Sequence, residues 1–139
     1  MKLTRLPDWP ERLAAEIEAA SGRTFSWGEW DCGHFAVACC IAVTGVDVGA
    51  PWRGSYDSEI GLARLYVSLG CRSVDEWADI AIGVRRDLKL ARRGDWVLSP
   101  EGEPEALGVC MGARSLFLTP SGMTIRRTLS CRAAWEVGE

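Results

Sequence analysis

The spacing of apolar residues changes near residue 94, and this change constrains the fold more than any other feature of the sequence. Before it, apolar side chains recur every three or four residues, which is typical of amphipathic helices. After it, short apolar or alternating runs are separated by Gly, Pro and Ser, which is typical of antiparallel strands joined by turns. Helices followed by strands predict an α+β domain, with the N-terminal helices packed on one face of a small C-terminal antiparallel sheet.

Start and stop signals divide the first part of the chain into four helices. The first predicted helix starts with a capping box of Asp8 and Glu11 and ends at Gly22, and the second runs from about Asp31 or Cys32 to Thr44-Gly45. The third runs from Leu62 to Leu69, and the fourth is short and is capped by Ser73 and Glu76. The predicted strands are the runs 96–98, 107–111, 114–119, 123–128 and 134–137. The basic stretch 85–93 is interpreted as a solvated linker.

Length and composition limit the classes of protein that this chain can be. A chain of 139 residues with 47% hydrophobic content predicts one domain spanning residues 1–139. A net charge of −3 argues against nucleic acid and anionic membranes as partners. The N-terminal residues contain no apolar stretch, so we expect synthesis in the cytoplasm without a secretory signal peptide and without membrane insertion. The six cysteines form no C-x-x-C pair, which predicts reduced, mostly buried thiols and neither a metal nor a cofactor.

The aromatic-rich stretch 25–35 contains the residues that are best suited to catalysis. It delivers Cys32 to the first turn of the second helix, where free backbone N–H groups and the helix dipole favour a thiolate. Asp31 is interpreted as the N-cap of that helix, and a carboxylate beside Cys32 would raise the pKa of the thiol. His34 is the only histidine of the chain, and two residues along a helix it points about 200° away from Cys32.

Seven tryptophans are many for this length, and large aromatic residues are usually well buried. Trp30 and Trp52 lie in predicted loops next to Gly and Pro, so exposed anchors are the alternative to core positions there. Together with Arg53 and Tyr56 they have the composition that is enriched at the centre of protein interfaces. These four residues are therefore a candidate docking surface.

Five linked motifs give the chain a resemblance to a known superfamily. In chain order they are Trp27-Gly-x-x-Asp31-Cys32, Thr44-Gly45-Val46-Asp47, Arg93-Gly94-Asp95-x-Val97-Leu98, Ala106-Leu107-Gly108-Val109-Cys110-x-Gly112 and Cys131-Arg132-x-Ala134-Trp135. They resemble the NlpC-type branch of the papain-like cysteine peptidases. The resemblance is closer to an NlpC-related family that is encoded beside tail-tip genes of tailed bacteriophages and gene transfer agents. It implies a papain-like NlpC-type fold, with Cys32 in the nucleophile position and Ala106 where the catalytic histidine is expected.

The resemblance implies a function in the virion. Without an imidazole the thiol lacks a base, and the proton-transfer component of catalysis is lost, roughly 10²–10⁴ in rate. We therefore expect a structural component of a tail tip or baseplate, a pseudoenzyme whose partners are other tail-tip proteins. The alternatives are an active cysteine peptidase or amidase that cleaves host peptidoglycan during DNA entry, and a small cytoplasmic binding module.

Overall fold

A computed structural model describes residues 2–139 and confirms the α+β class. The helices are α1 (Trp9–Ser21), α2 (Cys32–Thr44), α3 (Glu59–Ser68) and α4 (Val74–Ala81). The strands are β1 (Arg85–Arg86), β2 (Trp96–Pro100), β3 (Leu107–Cys110), β4 (Arg114–Thr119), β5 (Gly122–Arg127) and β6 (Cys131–Trp135). All neighbouring strands are antiparallel, in the order β1-β6-β2-β3-β4-β5.

Helix α2 is the central helix, because it is apolar on nearly every side and packs between α1 and the sheet. Asp31 caps its N-terminus by accepting a hydrogen bond from the His34 N–H, as the sequence predicts. Its C-terminus is capped by Gly45 in the left-handed conformation, with φ +78°. Against the sheet, the indole of Trp96 donates a hydrogen bond of 2.9 Å to the Ala36 carbonyl.

The sheet separates two apolar clusters, because side chains of a strand alternate between its faces. On the helix side, Trp96 and Leu98 of β2 join the main core with α2 and α4. On the opposite side, Val97 belongs to a smaller cluster with Phe117 of β4 and Ala134 of β6. The burial of β2 on both faces explains why its sequence is a short continuous apolar run.

Some predicted boundaries and one predicted segment differ from the structure. Helix α3 begins three residues before Leu62 because the Ser58 hydroxyl accepts from the Gly61 N–H and starts the helix there. The interpretation of 85–93 as a solvated linker is wrong at its start, where Arg85 and Arg86 form β1 beside β6. Two carboxylates, those of Asp95 and Glu136, hold the Arg86 side chain against the sheet.

A buried ion pair ties the N-terminal segment to the sheet. The Arg5 guanidinium lies 3.0 Å from Asp95, and both side chains are at most 3% exposed. Arg5 also donates to the carbonyls of Val137 and Arg93, at 3.0 and 2.6 Å. These bonds join both ends of the chain to the start of β2. None of the helices within residues 2–139 has the length and apolarity needed to cross a membrane.

Candidate functional site around Cys32

The loop before α2 is a tight turn that fixes the start of the helix. Ser26 and Trp30 exchange two backbone hydrogen bonds of 2.8 Å, which close the turn. Gly28 lies in this turn with φ +83°, a conformation that glycine adopts at low cost. The chain then passes through Asp31 into the helix, so that Cys32 is its first residue.

The Asp31 carboxylate is almost fully buried and accepts four hydrogen bonds. One oxygen accepts from the backbone N–H of His34 at 3.0 Å and from the ring Nδ1 of His34 at 2.7 Å. The other accepts from the Gly28 N–H at 3.1 Å and from the Tyr56 hydroxyl at 2.5 Å. Because a carboxylate only accepts, His34 Nδ1 carries a proton in this contact.

Burial and hydrogen bonding act on Asp31 in opposite directions. Burial raises the pKa of its carboxyl, but the hydrogen bonds from His34 and Tyr56 outweigh it, so that the net pKa is lowered. Burial and the charge of Asp31 raise the pKa of Tyr56, which therefore stays a neutral donor. Asp31 is thus an ionised structural group that holds the turn, the helix start and the Tyr56 segment together.

The segment around Tyr56 lies directly on the turn before α2. A Cβ atom added to Gly28 would lie 1.9 Å from the Tyr56 carbonyl oxygen, so no larger residue fits without moving the backbone. The Tyr56 hydroxyl then reaches past this contact to Asp31. Close backbone packing and a side-chain hydrogen bond together fix this segment beside Cys32.

The Cys32 thiol is poorly suited to nucleophilic attack. Burial and the charge of Asp31 raise its pKa to about 11. Backbone N–H groups of Leu107, Gly33 and Cys32 itself act in the opposite direction and are outweighed. The backbone N–H groups at the helix start therefore do favour the thiolate, as the sequence indicates, but their effect on the pKa is smaller than that of burial and Asp31.

The contact with Leu107 places the beginning of β3 beside the thiol. Ala106, the residue before it, is held by two backbone bonds to Ser99, one to the Ser99 hydroxyl and one from the Ser99 N–H, each of 3.0 Å. Ala106, which the resemblance places at the catalytic histidine position, offers only a methyl group there.

A small cavity of about 40 Å³ opens beside Cys32. It has room for a few waters and is far below the roughly 300–1,000 Å³ of typical small-molecule sites. Its walls are mainly apolar, with Trp52, Leu65 and Tyr66 among them. His34 also lines this cavity, but no hydrogen bond joins its ring to the Cys32 thiol among the residues that the structure describes.

The four residues of the predicted docking surface differ in exposure. Trp30 is only 4% exposed, so the expectation of an exposed anchor is wrong there. Trp52 is half-buried and packs edge-on against Trp77, with 5.4 Å between ring centroids. Tyr56 is half-buried and bound to Asp31, whereas Arg53 is exposed. The docking surface stays a prediction for Trp52, Arg53 and Tyr56.

Two contacts at this site have no signal in the sequence. The bond between Tyr56 and Asp31 joins residues that are 25 positions apart, in a loop without regular structure. The Leu107 N–H approaches the thiol only because β3 packs against α2. For metals, no cluster of three or more His, Cys, Asp or Glu ligands occurs in the part of the chain from residue 2 onwards.

The comparisons with known proteins identify a family but no activity. No curated protein matches the sequence significantly. One family model, described as a domain of unknown function (DUF6950), matches residues 4–137. This range contains every helix and strand described above, together with Cys32 and its surroundings. The chain therefore belongs to the DUF6950 family.

Proposed function

We propose that this protein is a structural component of the tail tip of a tailed bacteriophage or gene transfer agent, built on a papain-like NlpC-type fold that no longer catalyses. The observation that carries the proposal is a cysteine at the start of the central helix that has no base. Cys32 opens α2, Leu107 at the beginning of β3 contacts its thiol, and the residue before Leu107 is Ala106. The virion role itself derives from the sequence resemblance.

The pKa of Cys32 supports the loss of catalysis. With a pKa of about 11, about one thiol in ten thousand is ionised at pH 7. A peptidase cysteine normally overcomes this by passing its proton to an imidazole in hydrogen-bond contact, which also protonates the leaving amine. The part of the structure that is described contains no such contact for Cys32, so both proton transfers lack a partner.

The remaining polar groups near the thiol are already used by the fold. Asp31 caps α2 and accepts from both His34 and Tyr56, so the one imidazole that it orients is His34, whose ring makes no hydrogen bond to the Cys32 thiol. The Tyr56 hydroxyl donates its hydrogen bond to that carboxylate. These bonds stabilise the loops around Cys32, which suits a domain whose surface has to be rigid in an assembly.

The second candidate is an active cysteine peptidase or amidase that cleaves host peptidoglycan. One observation favours it, because Cys32 and His34 line the same cavity and Nε2 of His34 makes no hydrogen bond to another residue within 2–139. Because both residues lie two positions apart in the first turn of α2, the His34 side chain would have to leave Asp31 and reorient to bring that nitrogen to the thiol.

Two experiments separate these functions. Mass spectrometry of purified particles from the encoding phage or host should detect the chain in a fixed ratio to other tail-tip proteins. Absence from washed particles would contradict the virion role. Incubation of the purified protein with peptidoglycan should release no soluble stem-peptide fragments. Release by the unaltered protein that stops in both Cys32→Ala and His34→Ala would establish the peptidase instead.

A further inference from the structure

The two edges of the sheet are protected to different degrees. β1 has only two residues, and its Arg85 is held by Asp75 and Asp79. β5 forms the other edge with six residues, contains no proline, and pairs only with β4. A long, unprotected edge strand is a template for pairing with another chain.

The backbone groups that face the open side of β5 follow from its register. Just beyond the strand, the Thr128 N–H donates to the Ala113 carbonyl at 2.9 Å. Bonded and non-bonded positions alternate along an antiparallel pair. Counting back from Thr128, the backbone groups of Met123, Ile125 and Arg127 point away from β4 and towards the open edge.

Two of the carbonyls on this edge already have partners. The Arg126 guanidinium donates to the Ile125 carbonyl at 2.8 Å, and the Ser130 hydroxyl donates to the Arg127 carbonyl at 2.7 Å. The N–H groups of Met123, Ile125 and Arg127 have no acceptor within residues 2–139. The open edge therefore presents mainly hydrogen-bond donors.

The side chains give the same edge a positive charge. Arg114 of β4 and Arg127 of β5 are direct cross-strand neighbours, and both are exposed. Neither forms an ion pair in the described part of the chain. Like charges in this position destabilise a sheet, so an external carboxylate would relieve the repulsion. On the same face, Ile125 is 53% exposed beside Leu116 and offers an apolar contact.

We propose that the free edge of β5 binds an extended, acidic segment of a partner protein as a seventh strand. The free N–H groups pair with its carbonyls, Arg114 and Arg127 bind its carboxylates, and Ile125 contacts an apolar side chain between them. A second copy of this chain fits less well, because β5 carries two arginines and no acidic residue. The inference does not rest on the function proposed above.

The direct test uses two capped synthetic peptides and the full chain. In the first peptide every second residue is threonine, and the residues between the threonines are glutamate or valine. In the second peptide lysine replaces each glutamate. The glutamate peptide should bind, and amide hydrogen exchange should slow at Met123, Ile125 and Arg127. Equal binding of both peptides, or protection at other amides only, would overturn the proposal. So would self-association of the protein through β5 in sedimentation experiments without peptide.

Two variants test the two kinds of contact separately. Ile125→Pro removes an N–H that makes no bond to β4, so the domain should fold while affinity for the glutamate peptide falls about tenfold or more. Arg127→Glu places a negative charge opposite Arg114, so it should raise the melting temperature. It should also weaken binding of the glutamate peptide and strengthen binding of the lysine peptide. Because Arg127→Glu does not depend on tolerance of proline, unchanged selectivity in this variant contradicts the proposal even if Ile125→Pro fails to fold.

Discussion

Replacing Asp31 with alanine should cost about 3 kcal/mol of the free energy of unfolding. Loss of an N-cap side chain costs about 1 kcal/mol. The substitution also leaves three donors without their acceptor, at about 2 kcal/mol in total because two of them reach some water. These donors are the Gly28 N–H, the His34 Nδ1–H and the Tyr56 hydroxyl. For a domain of this size the total corresponds to a melting temperature roughly 10 °C lower.

The effect should depend on pH with a definite sign. The pKa of Asp31 is lowered in the folded protein, so its ionised form contributes stability above the unfolded pKa of about 4. This contribution is lost as the pH falls through the folded pKa. The difference between the unaltered protein and Asp31→Ala should therefore be largest near pH 7 and shrink below about pH 4.

Thermal and denaturant unfolding at a series of pH values measure this difference. Asp57→Ala is the matched control, because Asp57 is exposed next to Tyr56 and its side chain makes no hydrogen bond to another residue within 2–139. It should change stability by less than about 0.5 kcal/mol. The reasoning is refuted if Asp31→Ala is no more destabilising than this control, or if its effect is the same at pH 7 and pH 3.

Three further predictions concern other parts of the structure. Arg5→Ala should cost about 2–4 kcal/mol in denaturant unfolding, because buried Asp95 keeps only Arg86 as a counter-charge and the carbonyls that Arg5 binds lose their donor. Lys2→Ala, at an exposed ion pair, should cost under about 1 kcal/mol. Gly28→Ala should lower the melting temperature, since φ is +83° and the Tyr56 carbonyl occupies the space; an unchanged melt would contradict that packing. Cys32 should react with iodoacetamide far more slowly than glutathione at pH 7, with a rate that rises about tenfold per pH unit, and rapid reaction at pH 6 would contradict the raised pKa.

Local signals in the sequence were sufficient for most of the fold. The helix periodicity and the capping residue Asp31 predicted α2 to within a residue, because the cap and the apolar run are adjacent in the chain. The alternating run 114–119 is a strand over the same residues. β1 was missed because its two arginines have no strand pattern, and only pairing with β6 and ion pairs with distant carboxylates define it.

The candidate site was predictable only in part. The place of Cys32 at the helix start follows from local sequence, and so does the opposing charge of Asp31. The burial of Trp30 does not, because its turn folds back onto α2, where its ring packs against Phe35. Likewise, the hydrogen bond from the Tyr56 hydroxyl to Asp31 forms because two loops pack together, and no residue spacing in the sequence predicts that packing.

Infectivity of particles that carry Cys32→Ala tests the central claim most directly. A domain that serves as a structural component without catalysis does not need the thiol, and the replacement removes a single sulfur atom from a residue that is itself partly exposed. Cys40→Ala is the control for removing a cysteine elsewhere on α2, and because Cys40 is fully buried it should perturb the fold at least as much as Cys32→Ala. We predict that Cys32→Ala particles contain the protein at the normal level and infect, or transfer genes, as well as unaltered particles. A loss of about a hundredfold or more with normal incorporation, absent in the control, would contradict the structural role and establish catalysis by Cys32.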